Sequence, residues 1–522
     1  MKKIYLICIS MILLVAMLLP MTGCNNNQTQ NGDGVTTGSI KITAVDLGYG
    51  VEWLREIIAA YEDENPGCTV ELEVTVDGGS LASKIRTKAN DNDLVISTGA
   101  FFNSQAEGYL YDLSSLLNTT QEGYDVPLSE RMNKDLLEYY KAADGKYYQL
   151  PWVYGYNGIL YNKTTIDAAL GAENYTLPRT SDEMTELCER IKSTGVAPFV
   201  LSAEVPYWQS VLVGMYYQYQ GEEEYNKFYE GYYLKNGTYT KATSDNYREF
   251  LESQIGVKKA ADVVYSWLGE KEFAHSKSGY MNYQQAQNVF CGLGYGTDMT
   301  KAAFMVCGDW FYNEMKESID RATEVNGGCD VRVMKVPVIS SIVERLENKN
   351  MTEAQLREVI DAIDAGAKSV AGVSDKDFAT LYSARFSSTS TATSHVMAIP
   401  KMKNSEHKYE LTLKFMNYVF SYTGQELFSY ELNGITMPYG YEPTGVYGEY
   451  ADSRLGCMGN LADFNIITEG HNSPLFYIGG MDIIAGYYEK DAFNKTKNGE
   501  EYFQSCIELS YNNKDKVLPL IR

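Results

Sequence analysis

Only four histidines occur in the 522 residues, His275, His395, His407 and His471, and none stands in an HExxH or similar metal-ligating spacing. A GxSxG elbow and a Walker-type phosphate loop are missing too. These absences remove the signatures of zinc hydrolases, α/β-hydrolases and nucleotide-dependent enzymes. Asn90-Asp91-Asn92-Asp93 offers polar oxygens, but without the spacing or the distal Glu of a calcium loop. No cofactor and no metal is expected. Positive charge is equally scarce, with Lys and Arg numbering 45 against 68 Asp and Glu, for a net charge of −23. Binding nucleic acid through a broad electrostatic footprint requires clustered Lys and Arg, so that class is set aside.

Cysteine chemistry is thin. Nine cysteines are present, without a CxxC pair or a Cys/His cluster of zinc-like spacing. Beyond Cys8 and Cys24 they are Cys68, Cys188, Cys291, Cys307, Cys329, Cys457 and Cys506. Most read as buried free thiols, and one pair, such as Cys307 with Cys329, stays open. Long apolar runs are limited to Ile4–Leu19, which follows Lys2 and Lys3 and is shorter than the roughly 20 residues a membrane span needs. Residues 1–23 therefore read as a signal peptide. Its end, Met21-Thr22-Gly23-Cys24, resembles a bacterial lipobox with Met in the place where Leu is usual. That resemblance implies lipidation at Cys24. Residues 24–38, rich in Asn, Gln, Gly and Thr, have the composition of a flexible tether.

What the chain has in excess is tyrosine, 43 residues, each able to pack by its ring and hydrogen-bond at its tip. The densest aromatic stretch is Gly145–Lys163, GKYYQLPWVYGYNGILYNK. Pro151 and its restricted predecessor Leu150 favour extended backbone, and Ile159-Leu160-Tyr161 suits a buried strand. Trp152, Tyr154, Tyr156 and Asn157 there could line a ligand, or form an ordinary core strand; composition leaves both open.

At this length two lobes are expected, because single cores stop growing near roughly 250 to 300 residues. From Ser39 the order is strand (39–45), turn (46–50), helix (51–64), strand (69–76), short helix (80–89) and buried strand (93–97). This β-α-β-α-β order predicts an α/β fold with a mostly parallel sheet and ligands gathering beyond the carboxyl ends of its strands. Thr352-Glu353-Ala354-Gln355 is a capping-box start for a helix reaching about Ala365, within a region, 340–394, that looks inserted. The run Ser387–Ser394, SSTSTATS, reads as a loop or exposed approach to the strand at Val396.

Six segments in order carry a family resemblance: EIIAAYEDENPGCTVELEV, DLVISTGAFFNSQAEGYLYDLSSLL, GKYYQLPWVYGYNGILYNK, RTSDEMTELCERIKSTGVAPFVL, MVCGDWFYNEM and VMAIPKMKNSEHKYELTLKFMNYVFSYTGQELF. Together they resemble the extracellular solute-binding proteins of ABC transporters, in particular those that capture sugars and oligosaccharides. The resemblance implies two lobes joined by crossing strands, with 39–151 plus 333–430 as one and 152–332 plus 431–522 as the other. It places the crossings at Pro151 and Pro337. It further implies a monomer, lipid-anchored outside the cell, that closes on a small solute and passes it to the membrane subunits of a permease.

By the same resemblance the ligand-binding residues are Asp46, Tyr49, Phe101, Trp152, Tyr154, Tyr156, Asn157, Glu204, Tyr207, Trp208, Asp309 and Trp310, with Phe476 and Tyr477 as late contributors. Aromatic plates suit the C–H faces of a sugar, and carboxylates and amides suit its hydroxyls. Many oligosaccharide binders carry an acidic residue after the third strand, whereas this chain has Thr98-Gly99-Ala100-Phe101-Phe102, which favours stacking there. The alternatives are a surface carbohydrate-active hydrolase or lyase, which needs a carboxylate pair that 68 acidic residues do not single out, and a glycan-adhesion module.

Overall fold

The alternating pattern of Gly38–Val45 forms β1, whose side chains Ile40 and Ile42 are buried. The helix Glu52–Glu64 then presents Trp53, Leu54, Ile57, Ile58 and Tyr61 as one buried face. It ends at Asn65-Pro66-Gly67, where Gly67 takes φ +91° as a left-handed turn demands. Strand β2 (Cys68–Thr75), the helix Gly78–Arg86 and β3 (Leu94–Ser97) complete the predicted β-α-β-α-β order. The computed structural model describes residues 37–89, 91–401, 406–459, 464–468, 473, 475 and 488–521. Cys24 and the signal peptide, most of the tether, His471, Phe476 and Tyr477 lie outside the described residues.

Two sheets organise the chain. The first has the order β2-β1-β3-β12-β4, with β4 at Leu150–Pro151 and β12 at Val396–Ala398. The second has the order β10-β5-β9-β6, built from β5 (Asn157–Asn162), β6 (Ala197–Val200), β9 (Ala302–Gly308) and β10 (Val331–Met334). A hairpin, β7 (Tyr232–Lys235) with β8 (Thr238–Lys241), and a parallel pair, β11 (Ser387–Thr389) with β13 (Asn465–Ile467), stand apart from both.

The sheets are mixed, not mostly parallel as expected. Strands β1, β2 and β3 are parallel, but β12 runs antiparallel to both β3 and β4. In the second sheet β5 is antiparallel to β9 and β10, and only β6 and β9 are parallel. The cause is topological, since chain arriving from the other lobe enters each sheet from the opposite end to the local βαβ strands.

Chain passes between the sheets in three places that lie side by side. Residues 152–156 lead from β4 to β5, residues 390–395 from β11 to β12, and residues 432–448 from the helix Tyr422–Glu431 to the helix Glu449–Met458. The first of these helices packs on Glu52–Glu64 and the second on β10. Pro337 is not a crossing. Beside it, Val338 N–H donates to Arg179 O and Ser181 N–H to Val338 O, which keeps this segment on the second sheet's side. The helices Glu353–Asp364 and Asp375–Arg385, grouped with the first lobe by the sequence reading, also sit with the second. Arg179 pairs with Asp361, Thr180 bonds Glu353, and Gln218 Nε2 donates to Ala384 O at 3.1 Å. The predicted capping box at Thr352 and Gln355 is formed.

Candidate functional site

The site grows from two strand ends. β1 ends at Val45 and leads into Asp46-Leu47-Gly48-Tyr49-Gly50, while β9 of the second sheet ends at Gly308 and leads into Asp309-Trp310. These two turns touch. A Cβ added to Gly48, whose φ is +63°, would lie 3.1 Å from Trp310 Cγ, so the indole rests on bare backbone from the first sheet's side. Its ring is also seated on Gly308, where a Cβ would come within 1.7 Å.

Beneath Trp310 the two turns are locked by hydrogen bonds. Tyr49 Oη donates to Asp309 Oδ1 at 2.7 Å and lies 3.0 Å from Thr391 Oγ1. The other carboxylate oxygen of Asp309 pairs with Arg454 Nε, and both side chains are buried. Arg454 Nη2 donates in turn to Tyr154 O, and Tyr450 Oη donates to Asp309 O at 3.0 Å. Burial first, and the Asp309 carboxylate second, push the Tyr49 phenol well above its ordinary pKa, so it remains a proton donor. Gly155 lies at the centre of this cluster, where a Cβ would stand 2.0 Å from Thr391 Oγ1 and 2.1 Å from Tyr49 Oη.

The neighbouring crossings supply the rest of the wall. Ser388 Oγ donates to Asn157 O, Ser390 Oγ to Gly155 O, and Asn157 Nδ2 to Thr389 Oγ1. The Ser/Thr run is therefore a buried seam, not the exposed loop expected from its composition. Small hydroxyl side chains allow two extended segments to approach closely while satisfying each other's carbonyls. The His395 ring sits edge-on to Tyr49 at 5.6 Å and tilted to Trp152 at 5.4 Å.

The twelve sequence-predicted residues separate into groups. Trp310 and Tyr207 are half-buried, with ring centroids 6.2 Å apart, and Asp46 is half-exposed at the end of β1. Glu204 is exposed and lines a recess with Ser278, Gly279 and Phe493. Tyr49 and Asp309 are buried and turned toward each other, so they hold the junction. Asn157, partly buried, is engaged in the seam.

The remaining five are core residues in this structure. Trp152 stacks on Trp53 at 5.1 Å and donates its indole N–H to Ser97 O. Tyr154 and Tyr156 pack against Phe464. Phe101 is buried, its N–H bonded to Gln149 Oε1 at 2.7 Å, so its own ring offers no open face for stacking. Trp208 lies inside the second lobe, edge-on to Phe199 at 4.8 Å and beside Trp267. Its first-turn position on the helix beginning at Gln209 turns it inward while its neighbour Tyr207 stays at the surface.

Sequence reasoning missed Arg454, Tyr450 and Thr391. Nothing in the sequence around the two helix residues marks them, whereas the SSTSTATS run was itself a signal for close backbone approach.

Residues 47–286 match the sequence profile of the bacterial extracellular solute-binding proteins. Over that stretch, 240 of the 522 residues, the chain is similar to that family. Its solved neighbours share the fold at low identity. A chitin oligosaccharide binding protein superimposes with a TM-score of 0.58 at 14% identity, covering 92% of this chain and 100% of the other. The solute-binding protein RafE, solved in complex with raffinose, gives 0.56 at 14% identity, with 92% and 100% covered. A binding protein, MsmE, of Bacillus subtilis in an open conformation gives 0.52 at 12% identity, with 92% and 98% covered. Among curated proteins none matches. These likenesses establish the two-lobed α/β architecture of solute-binding proteins, and the Trp310 junction falls between the two sheets of this one. Among the described residues no helix is long and apolar enough to cross a membrane.

Proposed function

We propose that this solute-binding protein captures a carbohydrate, of oligosaccharide size, between its lobes and delivers it unchanged to an ABC importer, while lipid at Cys24 holds it to the outer face of the cell membrane. The observation that carries this reading is the placement of Trp310. It is a half-buried indole plate at the junction of the two lobes, on the glycine backbone of Gly48 and close to Tyr207. A flat apolar face suits the C–H surface of a sugar ring and carboxylates suit its hydroxyls; Asp46 stands two residues before Gly48, and exposed Glu204 stands three residues before Tyr207. Two fold neighbours, a chitin oligosaccharide binding protein and a solute-binding protein solved with raffinose, support the same ligand class.

Capture requires no covalent chemistry. A hinged pair of lobes closes because the solute contacts both of them only in the closed state, and that differential contact shifts the population. The protein acts as a monomer with the permease as its partner. A thermal-shift screen of soluble oligosaccharides tests the proposal: ligands that raise the melting temperature and are recovered intact support it. Recovery of shortened or unsaturated products would instead identify a hydrolase or lyase.

A further inference from the structure

Cys291 ends the helix Tyr283–Phe290, and Cys329 precedes β10. Both are buried, Cys329 at 8% exposure and Cys291 at 2%. One side chain brings them together. Asn162 Nδ2 donates to Phe290 O at 2.9 Å, the carbonyl just before Cys291, and reaches Cys329 Sγ at 3.8 Å. The two thiols lie close enough to each other to influence one another's titration.

The register excludes the other partner left open by the sequence. Cys307 sits opposite Gly158, while Asn162 sits opposite Val331, two residues beyond Cys329. Cys307 and Cys329 are thus separated along β5 by about six residues, on the order of 20 Å at the rise of a strand. That gap is several times what a disulfide spans.

We propose that Cys291 and Cys329 form an intrachain disulfide once the protein has left the cytoplasm. The oxidant is a disulfide, either that of an extracytoplasmic thiol oxidoreductase or a small-molecule disulfide such as oxidised glutathione. The sulfur of Cys329 attacks it as thiolate, forming a mixed disulfide and releasing the oxidant's first thiolate. Cys291 then gives its proton to solvent, attacks Cys329 Sγ and expels the second. Two thiols are oxidised to one S–S bond, and the oxidant's disulfide is reduced to two thiols.

The roles follow from access: Cys329 is the more exposed of the two, so an oxidant reaches its sulfur first. The loop so closed contains β9, Asp309 and Trp310, so the link would restrain the segment that carries the proposed plate.

The test is peptide mapping of the full protein after incubation in a glutathione redox buffer, alkylation and digestion without reductant. The expected result is a linked Cys291–Cys329 peptide about 2 Da lighter than the two free peptides together. Reduction should lower the melting temperature by on the order of 5 °C, as loss of a loop of this size implies. Cys291→Ser and Cys329→Ser should each remove both the linked peptide and the dependence on reductant. Full alkylation of both cysteines after the oxidising incubation, or linkage of Cys329 to any other cysteine, overturns the proposal. Neither result depends on which solute is bound.

Discussion

Tyr49 and Asp309, 260 positions apart in sequence, meet through a 2.7 Å hydrogen bond that ties the first strand of one lobe to a central strand of the other. Because Asp309 also neutralises the buried Arg454, the two partners are unequal. Tyr49→Phe removes one donor and should cost about 1–3 kcal/mol, the range for stranding a buried acceptor. Asp309→Ala leaves a buried guanidinium without its counter-charge and should cost about 3–5 kcal/mol. Urea unfolding of the two variants measures both, and equal losses would show that Arg454 is not paired as described.

Gly155 gives a steric prediction. Gly155→Ala puts a methyl group into space already held by Thr391 Oγ1 and Tyr49 Oη. The crossing cannot shift without breaking the seam, so a loss of about 4 kcal/mol or more, or failure to fold, is expected. Gly456 is the control, since a Cβ there meets nothing within 4 Å in a helix. Gly456→Ala should be neutral or stabilising by up to about 1 kcal/mol. Thermal melts of the pair decide the matter.

Two tryptophans should respond in opposite ways. Trp310→Ala takes away a half-buried ring and should weaken binding of any oligosaccharide found in the screen at least tenfold, about 1.4 kcal/mol, with the fold retained. Trp208→Ala empties a site inside the second lobe and should cost about 3–5 kcal/mol of stability. Calorimetric titration and denaturant unfolding, applied to both variants, separate a binding role from a packing role.

Acid should act through His395. Burial pushes its imidazole down to about 4, whereas the unfolded chain keeps an ordinary value near 6.5. Between these values the unfolded state binds the extra proton, so stability is full above about pH 6.5 and falls as pH drops toward 4. His395→Phe cannot protonate. The stability difference between wild type and this variant should therefore narrow or reverse over that window. A difference independent of pH would mean that His395 is charged in the native state.

The readable elements are the ones fixed by local sequence. The faces of Glu52–Glu64, the Asn-Pro-Gly stop and the capping box at Thr352 each depend on residues within a few positions. Site residues were legible as types but not as environments. Adjacent side chains such as Tyr207 and Trp208 carry the same aromatic signal yet fall on opposite sides of a helix start. Trp152, Tyr154 and Tyr156 were marked correctly as part of the crossing, but what they face is set by Trp53 and Phe464, far away in sequence. Arg454 was invisible because its meaning is the carboxylate 145 positions earlier. The strand at Val396 was expected, but its antiparallel direction was missed for the same reason.

The position of β12 between β3 and β4 bears on how the chain matures. Among the described residues Leu150 and Pro151 are joined to their sheet through Val396 and Met397 alone. A ribosome or export channel releases those two residues some 245 positions after the strand that awaits them. Until then the amino-terminal half ends in an unfinished border at β3, open to whatever pairs with it first. Assembly of this lobe is thus a late event that waits for most of its neighbour to be made.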